Sequence, residues 1–469
     1  PRRRWMDDHQ PRDLRPEAAP LLNAKIDEAS YFYDRLCLSF IGIAATAPVY
    51  YILYCLGWLK LCQGNGVVLM LLVTYYPSGL LTLLSQLGLD YKFDSAYGRR
   101  RAMLFRFLAT VGINVGLLPM VLIYAQNTVV LTLVFCALGF ANAACVGSAY
   151  EVCLQMPPET KAIQFFSVGL QAGGVIAGGL GLISGFTTLS DPSNKSGYPN
   201  SVGALPLSDR GVLLETVPPP SEAYPFTVLT SVVCTLGLVG IGALHMGSER
   251  YSRVLSANKG GCPPPDTSRV FRWLFGPLKA SVVTLIITTS TTALTTGFYP
   301  FTPSAQFPGE PWRNAGLVVF LVYVNQICDL IGRFLTACMP CPSGDALIMI
   351  TMSRLFTFVF GFFAYISQTS FIRDQVAVLL VVGLQVSHGM LQTWAFVHSS
   401  TVTTGIKQAL QAVSGDPEKN VDLTNYCGNN GGPKAGDMQW LSKALMIVLQ
   451  FAVVLGGLTG QAMSAVFWR

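Results

Sequence analysis

The stretch VNQICDLIGRFL, residues 324–335, places an aspartate and an arginine inside a long apolar segment. Asp329 and Arg333 are four residues apart, so in a helix their side chains lie on one face, one turn apart. Asn325 continues the same stripe one turn earlier. A carboxylate accepts hydrogen bonds from the hydroxyl or N–H groups of a ligand, and a neighbouring guanidinium donates them and orients the carboxylate. The pattern therefore predicts either a polar ligand site or a structural pair that fixes this helix against its neighbours.

The composition indicates that this stripe lies within a membrane. Of the 469 residues, 51% are hydrophobic and only 12% are charged, whereas soluble domains carry about 25% charged residues. Apolar runs of roughly 20 residues, long enough to cross about 30 Å of hydrocarbon, recur along the chain. A charge inside such a run costs on the order of 2.5–3.5 kcal/mol to insert, so it marks a candidate functional site. The sequence predicts an all-α polytopic membrane protein.

Eleven apolar runs predict eleven transmembrane helices. A basic segment divides them into six and five, so we expect an N-terminal tail (1–33), a six-helix bundle (34–246), a cytoplasmic linker (247–277) and a five-helix bundle (278–469). Closed backbone hydrogen bonding makes helices the expected form of such runs. The predicted helices, in order, are 34–58, 66–89, 102–124, 128–154, 161–187, 225–246, 278–301, 314–338, 345–368, 374–398 and 440–466.

The positions of lysine and arginine predict the orientation of the chain. The N-terminal tail, the connection that contains Lys92 and residues 99–101, and the linker are all basic. Basic connections face the cytoplasm, so the N-terminus is expected there and, after eleven helices, the C-terminus outside. The 188–224 connection would be external, which agrees with a glycosylation sequon at Asn194. The plasma membrane is the expected location.

Other polar residues of the apolar runs are further candidates. Tyr50 follows Pro48, and its ring could stack on a planar ligand. Gln171 begins the stretch QAGGVIAGGLG, whose glycines permit close helix contact. His388 lies in the middle of a predicted helix and is either a packing residue or a proton carrier. Arg354 is expected to extend to the membrane interface, with a gating ion pair as the alternative.

Two observations limit the alternatives. The chain has four histidines and lacks the GxSxG, HExxH and Walker A sequences, so it predicts no enzyme, metal or cofactor. The basic residues fall at helix ends and in connections, which excludes nucleic acid as an expected partner. Glu151, near the end of its predicted helix, is either interfacial or paired with a basic residue across the bundle.

Several stretches resemble the equilibrative nucleoside transporter family. VNQICDLIGRFL resembles the family's signature in helix 8, GIAATAP its Gly-rich stretch in helix 1, and NAACVGSAY its Gly-Ser motif in helix 4. MPPETKAIQFFSVGLQAGGVIAG resembles the turn and helix 5 that follow, TTGFYPFT the Phe-Pro motif of helix 7, and PWRN the start of helix 8. The resemblance covers all eleven predicted helices, and the helix 8 motif is the most specific part of it.

The resemblance implies a fold similar to the major facilitator fold with one helix fewer. A central cavity between the two halves would bind a nucleoside and open to each side in turn. Asp329 and Arg333 would contact the ribose hydroxyls or order that contact. Val146, Val49 and His388 depart from the glutamine, tryptophan and asparagine that many or some members have at these positions. These departures cluster where the base should lie and are typical of a divergent member, such as one from a protozoan parasite.

The expected function is facilitated transport of purine nucleosides, such as adenosine and inosine, by a monomer in a lipid bilayer. A proton-coupled nucleoside or nucleobase symporter is one alternative, and a receptor or scaffold that binds without translocation is another. The expected substrate-binding residues are Asp329, Arg333, Asn325, Tyr50, Gln171 and His388.

Overall fold

The computed structural model describes residues 18–64, 66–186, 219, 221–256, 267–299, 315–367, 374–414 and 437–467. Every regular element within these ranges is helical. The first half contains α1 (Ala18–Gln63), α2 (Gly66–Tyr97), α3 (Arg99–Ile123), α4 (Thr128–Gln155), a 3₁₀ turn (Pro158–Thr160), α5 (Ala162–Ile183) and α6 (Ala223–Gly247). Two short helices follow, α7 (Glu249–Ser256) and α8 (Thr267–Phe275). The second half contains α9 (Lys279–Gly297), α10 (Ala315–Cys338), α11 (Gly344–Arg354), a π-helical turn (Leu355–Val359), α12 (Phe360–Ser367), α13 (Asp374–Ser414) and α14 (Asp437–Phe467).

Eleven of these helical segments match the predicted membrane crossings. Ten stretches of the described residues are long and apolar enough to span a membrane, the π-helical turn joining α11 and α12 into one of them. The remaining segment is α10, a 24-residue helix that carries the polar stripe. The protein is therefore all-α and polytopic, and its described part has six long segments before the basic linker and five after it.

Some predicted boundaries are wrong because they followed apolarity alone. Helix α1 begins at Ala18, so the expected N-terminal tail through residue 33 is helical over its last part. Contacts outside the apolar run hold this part, since Arg250 lies 3.9 Å from the centre of the Tyr31 ring. Helix α13 likewise continues to Ser414, well beyond residue 398. The linker contains α7 and α8, whose charged faces hid them from a search for apolar runs.

The long helices pack as two bundles that meet along three lines. In the first half α1 packs against α5 and α6, while α4 packs against α2 and α3. In the second half α9 packs against α13 and α14, and α10 against α13. The two halves meet where α5 contacts α10 and where α14 contacts α2 and α4. Tyr150 of the first half stacks on Phe396 of the second, with ring centroids 4.3 Å apart.

Small residues allow the closest helix contacts. A Cβ added to Gly169 of α5 would lie 2.3 Å from the Ser39 carbonyl oxygen of α1. A Cβ on Gly389 of α13 would lie 2.3 Å from the Asp329 carbonyl oxygen of α10. Such distances are far inside van der Waals contact, so only glycine fits. The second contact places α13 directly against the polar stripe.

Candidate functional site

The Asp329–Arg333 pair forms as its spacing predicts. Arg333 Nε donates to Asp329 Oδ1 at 3.1 Å, and Arg333 Nη2 donates to Asp329 Oδ2 at 3.2 Å. Both side chains are buried, each only 7% exposed. Two parallel N–H···O bonds fix the planar guanidinium against the carboxylate. The positive and negative charges of the pair compensate each other in a region without bulk water.

Arg333 also joins the two halves of the protein. Its Nη1 donates to Ser167 Oγ of α5 at 2.7 Å, and its Nη2 also donates to Gln392 Oε1 of α13. Ser167 in turn lies 2.9 Å from Thr393 Oγ1. One guanidinium therefore contacts two other helices, α5 and α13, besides the carboxylate on its own helix, and α5 belongs to the opposite half. Any motion of one half relative to the other changes these bonds.

Tyr50 and Gln171 belong to a second hydrogen-bonded chain across the same interface. Tyr50 Oη of α1 donates to Gln171 Oε1 of α5 at 2.9 Å. Gln171 Nε2 then donates to Gln326 Oε1 of α10 and to the Gln326 carbonyl oxygen at 3.3 Å. The two expected residues therefore meet the stripe through Gln326, which immediately follows Asn325 in the sequence.

Asn325 and His388 face the second half. Tyr299 Oη donates to Asn325 Oδ1 at 3.2 Å, and Gln385 Nε2 of α13 donates to Tyr299 Oη at 2.9 Å. His388 is buried one turn further along α13, and its Nδ1 has no hydrogen-bond partner among the described residues. The described residues also leave Gln385 Oε1 and Thr289 Oγ1 unpartnered. Buried polar atoms without partners are costly, so this region is prepared for a ligand or for water.

Arg354 does not extend to the membrane interface, and that expectation was wrong. Its side chain is 2% exposed. Nη1 donates to Thr291 Oγ1 at 2.7 Å, Nη2 to Thr292 Oγ1 at 2.6 Å, and Nε to Ser387 Oγ at 3.1 Å. No carboxylate within ion-pair distance faces it among the described residues. Its positive charge is thus solvated by hydroxyl groups, directly before the π-helical turn, a distortion frequent at functional sites.

The six expected site residues therefore fall into three neighbouring groups rather than one. The residues that sequence reasoning missed as site residues are Ser167, Gln326, Tyr299, Gln392 and Arg354. A signal for one of them was present, because Gln385, His388 or Gly389, and Gln392 follow helical spacing along α13. The hydroxyl groups of α5 and α9 carry no such signal, since serine and threonine are common throughout apolar helices.

A separate group of buried charges joins the halves near one membrane surface. Lys443 Nζ of α14 lies 3.2 Å from Glu151 Oε2 of α4 and donates to Asp90 Oδ2 of α2. Glu151 Oε1 accepts from Arg99 Nη2 at 2.7 Å. Arg106 Nη2 lies 2.9 Å from Asp90 Oδ1. Glu151 is therefore paired across the bundle, and this group, the charge cluster, closes the contact between the two halves on that side.

Comparison with known proteins places this geometry in a known fold. No protein-family model matches the sequence, and a search of curated proteins finds no relative. The proton:xylose symporter XylE, solved with 6-bromo-6-deoxy-D-glucose, is 12% identical, with a TM-score of 0.54 over 94% of this chain and 90% of that one.

Two further solved structures are less similar. The E. coli fucose:proton symporter FucP is 12% identical, with a TM-score of 0.49 over 90% of this chain and 98% of that one. A bacterial homologue of the human lysosomal transporter Spinster is 14% identical, with a TM-score of 0.45 over 94% of this chain and 99% of that one. At these identities only a fold can be compared, and the similarity to XylE supplies it. The chain has the major facilitator fold, with eleven long helical segments among the residues that the structure describes.

Proposed function

We propose that this protein is a membrane transporter that moves purine nucleosides down their gradient. The observation that carries the proposal is the position of Arg333. Its guanidinium is buried, ion-paired on one side and hydrogen-bonded to both halves of a major facilitator fold. In an alternating-access carrier the substrate site lies between the halves, near the bilayer midplane, where it can be exposed to each side in turn.

The chemistry of the site suits a nucleoside. A ribose presents adjacent hydroxyl groups. A carboxylate can accept hydrogen bonds from them, and a guanidinium can donate hydrogen bonds to them. A base presents a flat ring with polar edges, and the neighbouring hydrogen-bonded chain of Tyr50, Gln171 and Gln326 offers a ring and polar amides. The resemblance of VNQICDLIGRFL to the helix 8 signature of equilibrative nucleoside transporters supports this substrate class.

The unpartnered polar groups beside the site suit a ligand that both donates and accepts hydrogen bonds. Asp329 and Arg333 cancel, whereas Arg354 keeps a positive charge among hydroxyl groups. The unpartnered His388 Nδ1 and Gln385 Oε1 lie on α13, the helix that also carries Ser387, a partner of Arg354. A nucleoside contributes both ring nitrogens that accept hydrogen bonds and N–H or O–H groups that donate them, so it could satisfy both kinds of group.

A proton-coupled symporter is the second candidate, and it is favoured by one observation. Asp329 and His388 are titratable groups buried inside the fold, and such groups carry protons in many transporters. In that reading, protonation of Asp329 would weaken its bonds to Arg333 and free the guanidinium to change partners between the halves.

The decisive experiment is uptake of labelled adenosine and inosine by proteoliposomes that contain the purified chain. We expect saturable uptake without an imposed ion gradient, with each nucleoside inhibiting uptake of the other. Uptake that appears only with an inward proton gradient would favour the symporter. Saturable nucleoside binding without flux under either condition would refute transport and leave a receptor.

The orientation stays a prediction, and one measurement checks it. We propose that the N-terminus, the linker and the charge cluster face the cytoplasm and that the C-terminus is external. An antibody should then bind an epitope at the C-terminus of the full chain on intact cells. It should bind an epitope at the N-terminus only after the cells are permeabilised.

A further inference from the structure

A large cavity lies at one membrane surface, away from the polar stripe. It has a volume of about 1140 Å³ and is lined by residues 97–101, residues 245–249 and four residues of α7. Helix α3 begins here and α6 ends here, and both are membrane-spanning segments. The cavity therefore lies at the level where lipid headgroups meet the protein.

The wall of this cavity is strongly basic. It includes Arg100, Arg101 and Arg253, against one acidic residue, Glu249, while the charge of Arg99 is matched by Glu151. Arg100 Nη2 donates to the His245 carbonyl oxygen at 2.7 Å, which holds its guanidinium at the wall. No carboxylate within ion-pair distance faces Arg101 or Arg253 among the described residues. Several uncompensated guanidinium groups in one concavity attract an anion.

Two buried nitrogen atoms of the wall also lack partners within the described ranges. Arg99 is 1% exposed, and its Nε has no hydrogen-bond acceptor although its Nη groups bond Val254 and Glu151. His245 Nδ1 is likewise unpartnered. Both nitrogen atoms are buried, so the donors that a ligand in the cavity meets are the exposed guanidinium groups of the wall, from which phosphate oxygens accept several short, charge-assisted bonds.

The residues at the rim of the cavity indicate that the phosphate belongs to a lipid. Met246 is 83% exposed and Tyr97 is 61% exposed at the ends of their helices. An amphipathic tyrosine and an exposed methionine at the membrane interface suit the glycerol and the first methylene groups of a lipid. The hydroxyl groups of Ser252 and Ser256 add polar partners on the α7 side.

We propose that this cavity binds the phosphorylated headgroup of an anionic membrane lipid, a phosphoinositide, whose several negative charges match the guanidinium groups of the wall. Basic pockets between membrane helices on the cytoplasmic side are suited to such headgroups. This lipid site is separate from the proposed substrate site, so its test does not depend on whether the protein transports nucleosides.

The test measures lipid binding by the purified full chain in nanodiscs, with phosphatidylinositol bisphosphate in phosphatidylcholine. Arg101→Gln/Arg253→Gln removes two exposed arginines that hold no other element, so folding should persist. Each contributes roughly fivefold in affinity, and we expect binding about 25-fold weaker. Lys92→Gln is the control, because Lys92 is exposed near the same end of α2 but lies outside the cavity wall.

Three results would overturn the proposal. Equal weakening by the control would mean diffuse attraction to the membrane surface rather than a site. Unchanged binding in the double variant would exclude the cavity. Equal stabilisation of the protein by inorganic phosphate or by soluble inositol trisphosphate, with no added effect of the lipid, would assign the site to a free phosphate compound instead.

Discussion

Replacing the Asp329–Arg333 pair in two steps separates a structural role from substrate binding. Asp329→Asn leaves Arg333 charged and buried with only Ser167 and Gln392 as strong partners. Two charge-assisted hydrogen bonds are lost, each contributing about 1.5–3 kcal/mol, of which the amide oxygen restores part. Breaking a buried pair costs about 3–5 kcal/mol in total because a charge remains uncompensated.

The double variant Asp329→Asn/Arg333→Gln removes both charges. Its free energy of unfolding should return to within about 1 kcal/mol of the parent, since replacing both partners of a buried pair is often neutral. If the pair also binds the ribose, nucleoside uptake stays at least about 100-fold reduced, which corresponds to roughly 3 kcal/mol. The measurements are the initial rate of uptake by proteoliposomes, normalised to folded protein, and the midpoint of thermal unfolding.

The matched control is Asp34→Asn/Arg250→Gln. That pair, with Arg250 Nη1 3.3 Å from Asp34 Oδ2, joins α1 to α7 far from the stripe, so uptake per folded molecule should not change. Recovery of both stability and uptake in the Asp329/Arg333 double variant would refute our reasoning, because it would leave the pair a purely structural one.

Four further predictions follow from particular contacts. Gly389→Ala places a Cβ 2.5 Å from Asp329 Oδ1, so overpacking of about 1–3 kcal/mol should reduce uptake at least tenfold. The control Gly405→Ala meets open space and should leave uptake unchanged. Equal uptake by the two variants would show that α13 moves away from α10 without cost. Arg354→Gln should reduce uptake without a comparable loss in the unfolding midpoint, because the Ser387 and Thr291 hydroxyls keep their bonds to Gly383 and Ile287; a large loss of stability would make the arginine structural. Lys443→Gln leaves Asp90 and Glu151 without their partner from the second half. Spin labels on α2 and α14 should then report a wider distribution of distances between these helices. An unchanged distribution would show that Lys443 does not hold the two halves together. Burial raises the pKa of the Cys341 thiol to about 11, so the rate of its labelling by maleimide should rise about tenfold per pH unit through neutral pH. This rate should stay below that of the exposed Cys338. Rapid labelling of Cys341 at pH 7 would contradict the burial.

The fold class and the number of crossings could be predicted from the sequence because both depend on local quantities. An apolar run of about 20 residues crosses the bilayer whatever its neighbours are. The spacing of Asp329 and Arg333 likewise fixes their bidentate contact, since both lie on one helix. Helix ends were predicted poorly, because α13 continues as a polar helix to Ser414 after its apolar part ends.

The tertiary structure decided which polar groups meet. Arg333 bonds Ser167 across 166 residues of sequence, and Lys443 bonds Asp90 across 353. Helical periodicity defines the faces of a helix but does not say which other helix each face meets. Arg354 shows the same limit, since an arginine near the end of an apolar run has the same local pattern whether its side chain extends to the interface or turns inward. The hydroxyl groups of α9 and α13 and the Leu384 carbonyl oxygen, brought together by packing, provide the solvation that lets this charge remain buried.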